Sequence, residues 1–528
     1  MSRLVARALP AVRIQGPKHL VPSTTTRSLF SLPPTTRPHR GLRRPVVKMA
    51  TQAGSFPSFT TVNFYAGSKL NRLSWLRTST EFLNSTIASP QTRFVLMKHN
   101  NPLCHGSGDN EGMLATFSWD EVKKHVLQNV EASGGAKTGE DASVFGPQAY
   151  GLTNGAGEKE FARATDGVGP SRLALVFLGI DESELTQTSL PGQMAKDGDK
   201  AEGAPAGVPY FALSLTYRPA FVEGEAPMQA LLDEIEAEGD KYDFLDLRAS
   251  SRASAWPREH AAIVAQAKSL LDWNERHQYC PGCSRQQYSL WAGYKRGCSS
   301  SLGLAAPGSH FATAFLGGKT SFEEDGKGVC PSTQVLSNFH YPRTDPVIIM
   351  AIISPDGEKV LLGRQKKWPA GFYSCLAGFC EPGESFEEAV RREVLEESGI
   401  QVDQVIYHSS QPWPYPTNLM AGFYGIAKTD DAESIRLDLD NELEDARFYT
   451  RQEILDVIER KKNAHFTRAE LEKLDKEHHT SDGEDKAKDK AQIRLPPDTA
   501  IARVLVEAWA KGHAVLPTHM DNFQKTRM

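Results

Sequence analysis

The chain has 528 residues, too many for one typical domain, so two or three domains with linkers are expected. Its 40% hydrophobic and 24% charged residues are an ordinary soluble composition, and a net charge of −5 gives no global reason to expect broad nucleic-acid binding. No run approaches the roughly 18 apolar residues needed to cross a bilayer, and seven cysteines in so long a chain argue against a disulfide-stapled secreted scaffold.

In chain order, the first acidic residue is Glu81, while residues 1–48 carry eight arginines and two lysines among many Ser, Thr and Pro. An acid-free, Arg-rich start resembles a mitochondrial transit peptide. A disordered basic leader, or a working start at Met49, would look the same. At the other end Thr526-Arg527-Met528 loosely resembles a peroxisomal tripeptide. Peroxisomal, mitochondrial and cytosolic locations all stay open.

Strands are expected at 93–97 (RFVLM), 172–179 (RLALVFLG) and 210–217 (YFALSLTY), with long surface loops at 133–170 and 189–207. The spacing of apolar residues over 257–277 predicts an amphipathic helix. Nothing in residues 60–275 forms a recognisable catalytic cluster. Further on, PVIIMAIIS (346–354) reads as a strand buried on both faces, turning at Asp356-Gly357 into KVLLGRQ (359–365). Residues 466–494 are dominated by charge and fit a solvated helix or disordered insert. A last helix is expected at 499–512. No internal sequence repeat is found.

Between these regions, Cys280 and Cys283 form C-P-G-C, Cys298 follows after fourteen residues and Cys330 after thirty-one more. A CxxC knuckle aims two thiolates at one centre, and two further sulfurs would complete a tetrahedral Zn²⁺ site with no open position, hence a structural one. Simple burial of unligated cysteines is the alternative. Cys104, Cys375 and Cys380 show no ligand spacing.

The stretch 378–400, GFCEPGESFEEAVRREVLEESGI, holds seven glutamates in twenty-three residues. On a helix over 386–398, at about 100° per residue, Phe386, Ala389, Val390 and Val394 define an apolar arc. Glu393 and Glu397 fall inside it and Glu396 flanks it. Glu387 and Glu388 lie outside, placed to pair with Arg391 and Arg392 at i,i+4. Carboxylates crowded on a half-buried face repel one another and lose hydration. Mg²⁺ or Mn²⁺, which favours clustered oxygen donors and substrate phosphates, reverses that penalty. Arg392 is placed to reach Glu384 in the preceding loop.

Gly378, Glu384, Arg392-Glu393, Glu396-Glu397, Gly399 and Ile400 match the Nudix box at every defined position. SQPWPYPTNLM (410–420) resembles the motif of the NADH pyrophosphatase branch, with Tyr415 where Phe is usual and Asn418 where Ser is usual. The cysteine module, WAGYKR (291–296) and YPRTDPVIIM (341–350) are similar to that branch too. The resemblance is strong over roughly 275–512 and weak over 60–250. It implies an α/β fold: a Nudix α/β/α sandwich preceded by a zinc ribbon and an α+β Nudix-like amino-terminal domain. The corresponding division is a leader (1–58), an amino-terminal domain (59–256), a linker helix and zinc ribbon with an inserted loop at 303–328 (257–341), a catalytic domain with a charged insert at 466–494 (342–515), and a tail (516–528).

The same resemblance implies Mg²⁺ or Mn²⁺ held by Glu393, Glu396, Glu397 and the carbonyl of Ala377. It adds a carboxylate in the strand after the box, here Glu442 of NELEDARFY, which could equally be an exposed edge charge. Glu397 or Glu442 would orient or deprotonate the attacking water. Phe379 and Tyr341 would stack on the substrate, Gln411, Pro412, Trp413, Pro414, Tyr415, Pro416, Thr417 and Asn418 would line it, and Ala502 would touch it through its backbone. Each aromatic residue could instead be core. A homodimer with Tyr341 and Ile349 at its interface is expected in this branch. The leading expectation is therefore hydrolysis of NADH, and NAD⁺, to nicotinamide mononucleotide and AMP. Removal of NAD caps from RNA uses the same chemistry but needs a basic track that the net charge does not suggest. A non-catalytic ADP-ribose-binding module is the third reading, and the intact glutamates speak against it.

Overall fold

Runs of β-branched and aromatic residues build the first sheet from β1 (Leu70–Asn71), β2 (Arg93–Lys98), β3 (Asn101–His105), β4 (Thr116–Phe117), β7 (Leu175–Asp181), β8 (Val208–Ser214) and β9 (Tyr242–Phe244). Its order is β1-β7-β8-β2-β3-β9, with β4 also on β2. Only β2 and β8 run parallel. The strand β5 (Leu152–Thr153) pairs separately with β6 (Lys159–Glu160). Side chains alternate across the sheet, and both faces are covered. Phe94, Leu96, Phe177, Phe211 and Leu213 meet α1 (Thr80–Ile87), α2 (Trp119–Ala132) and α3 (Gln229–Ala237). Val95, Met97, Val176, Leu178 and Ala212 meet α4 (Arg258–Arg276), the helix expected at 257–277.

This computed structural model describes residues 61–132, 172–185, 206–299 (less 221, 249 and 250), 340–369, 371–460 and 493–514. It also describes short pieces at 144–146, 152–153 and 159–160 and residues 189, 330, 332 and 516. The leader, the 303–328 insert, residues 466–492 and the tail beyond 516 lie outside the described residues, as do most of 133–170 and 189–207. One correction falls within the first of those expected loops. Val144 and Phe145 are fully buried, and Asn84 bonds Phe145 twice, its Nδ2 to the carbonyl (2.8 Å) and its Oδ1 from the N–H (2.9 Å). Polar neighbours hid two apolar anchors.

The second sheet uses β12 (Asp345–Ile353), β13 (Lys359–Gln365), β14 (Leu376–Phe379), β15 (Val402–Trp413), β16 (Asn418–Ala427) and β17 (Leu443–Thr450), ordered β15-β16-β12-β13-β17 with β14 also on β12. The β12–β13 turn is the expected one, with Gly357 at φ 83°. Only β12 and β16 run parallel. One face holds α5 (Phe386–Ser398) over Ile348, Met350 and Ile352; the other holds α6 (Arg451–Glu459) and α7 (Ile501–Ala510) over Ile349, Ala351 and Ile353. The two sheets thus repeat one plan: a central parallel pair, an antiparallel neighbour on one side, a hairpin partner on the other. No sequence repeat accompanies this repeated architecture, which agrees with the Nudix-like amino-terminal domain that the resemblance implied. A hairpin of β10 (Gln287–Leu290) and β11 (Lys295–Cys298) lies between them in the chain.

Candidate active site

Helix α5 is fixed at both ends. Ser385 and Glu388 form a reciprocal capping box, and Gly399 closes the helix at φ 73°. Glu388 is therefore a cap, not the expected partner of Arg392. Arg391 likewise turns to the carbonyls of Glu387 and Asp403. The buried side is Ala389, Val390, Val394, Glu397 and Ser398. Phe386, placed inside the apolar arc by periodicity, is 42% exposed; at the first helical position it touches Phe423 of β16 with its ring only partly covered.

Glu393 and Glu397 do lie on the inner side. Glu397 is 2% exposed, and its Oε2 is buried without a hydrogen-bond partner. Glu393 rests against Gly378, where an added Cβ would stand 2.0 Å from its Oε1; only glycine permits that approach. Glu396 flanks the pair, half exposed. Arg392 organises the group. It grips Glu384 through Nε (2.6 Å) and Nη2 (2.8 Å), donates to the Phe379 carbonyl (2.9 Å), and reaches Glu393 (2.8 Å) and Glu396 (3.1 Å). The Arg392 hydrogen bonds hold Glu384 down at about 2. Burial, then Glu442, Glu393, Asp440 and Glu396, push Glu397 up to about 9. Burial also raises Glu393 and Glu442.

Glu442 stands one residue ahead of β17 rather than in it. Its Oε1 accepts from Gln365 (2.6 Å) and its N–H donates to Asp440 (3.0 Å) across Asn441, whose φ is 60°. Asp440 is the residue that sequence reasoning missed. The acid-rich run DLDNELED (438–445) was the available sign, but only folding shows which carboxylates turn toward Glu397. A buried orphan oxygen, neighbouring carboxylates that push it up and a glycine-lined approach suit a hard divalent cation, although among the described residues only the four cysteines are already drawn together as a metal-holding group. Ala377 of β14 is in register with Ile349 of β12 and stands next to Gly378.

The expected substrate residues divide. Phe379 is 57% exposed at the end of β14, and Tyr341 lies half-buried against Trp291 (5.5 Å), with Lys295 over both rings. Ile349, expected at a dimer interface, is 6% exposed beneath α7. The 410–420 motif is the β15–β16 hairpin. Gln411 is fully buried; its Nε2 donates to the carbonyls of Phe64 (3.0 Å) and Thr499 (2.8 Å), and its Oε1 accepts from the Ile501 N–H (2.9 Å). It caps α7, whose own cap position, Ala500, has no side-chain acceptor. Trp413 and Tyr415 pack edge-to-face (5.2 Å). Pro412 is half-buried, Pro414 buried, Pro416 exposed and Thr417 buried. The Asn418 side chain turns back to the Tyr415 carbonyl (3.4 Å). Ala502 lies in the first turn of α7, its carbonyl accepting from the Cys375 thiol (3.6 Å).

The four cysteines converge, with all Sγ atoms within 4.8 Å of one another. Cys280 and Cys330 are 3.7 Å apart, and Cys283 and Cys298 are 3.4 Å apart. Four sulfurs about 2.3 Å from one zinc would be spaced by about 3.8 Å, so the set fits that metal. Ser332, which sequence reasoning did not single out, contacts Cys330 (3.0 Å) and is itself held by His340 (3.0 Å).

Two family models match, a NUDIX domain over residues 342–471 and an NADH pyrophosphatase-like rudimentary NUDIX domain over 91–273. A Schizosaccharomyces pombe protein named NAD-capped RNA hydrolase is 32% identical over 448 residues, covering 85% of this chain and 92% of that protein. Human NAD-capped RNA hydrolase NUDT12 is 30% identical over 85% of this chain and 73% of its own length. Human mitochondrial NAD(P)H pyrophosphatase NUDT13 is 32% identical over only 48% of this chain and 59% of its own length.

Proposed function

This chain belongs to the Nudix hydrolase family, in its NADH pyrophosphatase branch, and from that premise we propose that it cleaves the pyrophosphate of an NAD moiety, with NAD-capped RNA as its main substrate and free NADH as a second. The observation that carries the bond chemistry is the buried, unpartnered oxygen of Glu397 among facing carboxylates. The choice of RNA rests on the relatives that align over 85% of the chain, both named for that activity. Relatives of the free-dinucleotide kind share only 48% of it. The half-buried Trp291 and Tyr341 rings beside Lys295 support this choice, because stacking surfaces paired with cations suit single-stranded nucleic acid. A net charge of −5 does not weigh against a local contact of this kind.

Glu393, Glu396, Glu397 and Glu442, with the Ala377 carbonyl, would hold Mg²⁺ or Mn²⁺, which when bound neutralises phosphate oxygens and acidifies water. Arg392 keeps Glu393 and Glu396 oriented between substrate visits. Glu397 or Glu442 accepts the proton of the attacking water, the P–O–P bond breaks, and the second phosphate leaves. Exposed Phe379 and half-buried Tyr341 stack on the bases. The four cysteines would hold a structural Zn²⁺; elemental analysis should find about one zinc per chain, released by Cys298→Ser. The decisive experiment is product analysis on NAD-capped RNA, NADH, NAD⁺ and ADP-ribose with and without Mg²⁺. Nicotinamide mononucleotide is expected with 5′-monophosphate RNA from the cap and with AMP from NAD⁺, and its reduced form with AMP from NADH. Intact substrates in Mg²⁺ and Mn²⁺ would overturn the reading.

A further inference from the structure

The amino-terminal domain reaches the motif hairpin through three consecutive residues. Asn63, 2% exposed, donates from Nδ2 to the Ser409 hydroxyl (3.0 Å) and the Ser410 carbonyl (2.8 Å). The Phe64 carbonyl accepts from Gln411 (3.0 Å). The Tyr65 hydroxyl meets the Tyr415 hydroxyl at 2.9 Å, and its ring packs edge-on against Trp413 (6.4 Å) and Tyr415 (6.3 Å). Tyr65 does this from a left-handed backbone, φ 66°, which a bulky residue adopts only when its surroundings hold it there. Lys268 of α4 lies over the Tyr415 ring (5.9 Å). The Tyr415 hydroxyl is also the atom by which this motif departs from the usual phenylalanine, and it is bonded to Tyr65.

We propose that Asn63–Tyr65 is a positioning strap by which the amino-terminal domain holds the hairpin in its substrate-gripping shape, so that this domain sets affinity for the dinucleotide without touching it. The inference rests on the hairpin's proposed role in binding. Through Gln411 the strap also bears on the first turn of α7, where Ala502 lies. A strap of this kind acts before the bond is attacked, so its loss appears in KM rather than in kcat.

The test is a double-mutant cycle of Tyr65→Phe and Tyr415→Phe on the full chain, assayed with NADH and Mg²⁺. Each single variant should raise KM roughly three- to tenfold with kcat within about twofold, and the double variant should be no worse than either. Asn63→Ala should act in the same direction. Hydrogen exchange over residues 410–420 should quicken about tenfold in Tyr65→Phe and Asn63→Ala, with exchange elsewhere in the second sheet unchanged. That readout needs no turnover, so a wild-type chain inert on every pyrophosphate would sink the functional proposal while exchange still decides on the strap. Additive effects of the two Phe variants, a KM change for Tyr415→Phe alone, or unaltered exchange would each overturn it.

Discussion

Helices α2 and α5 occupy the same place in two copies of one sandwich. Each follows a short strand on the central parallel pair and precedes the next long one. Their buried sides differ. Helix α2 buries Val122, His125, Val126 and Val130, and its one polar member, His125, is bonded by Glu234 of α3 at 3.0 Å. Helix α5 buries Ala389, Val390 and Val394 with Glu397, one of whose oxygens has no partner. Buried atoms without a partner occur in both domains, Thr86 Oγ1 and Gln266 Oε1 among them; what sets α5 apart is that its open atom belongs to a carboxyl raised by further carboxylates, where α2 has a histidine paired with Glu234.

The largest expected effect is on that open group. Glu397→Gln should lower kcat on NADH by roughly 10²- to 10⁴-fold with the fold intact, whereas His125→Gln should leave kcat within about twofold. Equal losses in steady-state assays would erase the distinction between the helices. Next, Val126→Glu would copy the catalytic pattern into α2, where the described residues offer no group of carboxylates that could share a cation. It should cost roughly 3–5 kcal/mol in urea unfolding, unrelieved by Mg²⁺. Gly378→Ala comes third: its Cβ must displace Glu393, so activity should fall about 10- to 100-fold with little change in melting temperature.

The smallest effect is on pH. Glu397 is pushed up to about 9 from an ordinary 4.5 by burial and its neighbouring carboxylates. Between those values the folded metal-free chain keeps a proton that the unfolded chain has lost. Stability should therefore decline as pH rises through that window. Added Mg²⁺ should flatten the decline, and Glu397→Gln should remove most of it; parallel melting curves for wild type and variant from pH 5 to 9 would contradict this.

Periodicity alone found the inner position of Glu393 and Glu397, because helix geometry is local and a carboxylate on an apolar arc stands out. It misplaced Phe386 for the same reason: the arc says which residues share a side, not how completely the packing covers the first residue of the helix. The spacing of Cys280, Cys283 and Cys298 was equally readable, and the fold brings Cys330 to them across a gap of thirty-one residues. Phe145 could not be found in a polar stretch, nor Asp440 in an acid-rich run, since both act through partners far along the chain.

Gln411 shows the boundary most clearly. The motif marked it as a substrate residue, and in the fold its amide ties Phe64, Thr499 and Ile501 together, a junction of three segments up to 437 positions apart (Phe64 to Ile501). By itself the sequence determined the helix, its carboxylate pattern, the cysteine knuckle and the family, all written in spacings of a few residues. The family resemblance also carried the Nudix-like amino-terminal domain, whereas the tertiary structure alone decided which acids lie near Glu397 and that Asn63 and Tyr65 bond the hairpin. Those are long-range contacts, selected by the free energy of the whole packed chain rather than by any local run of residues.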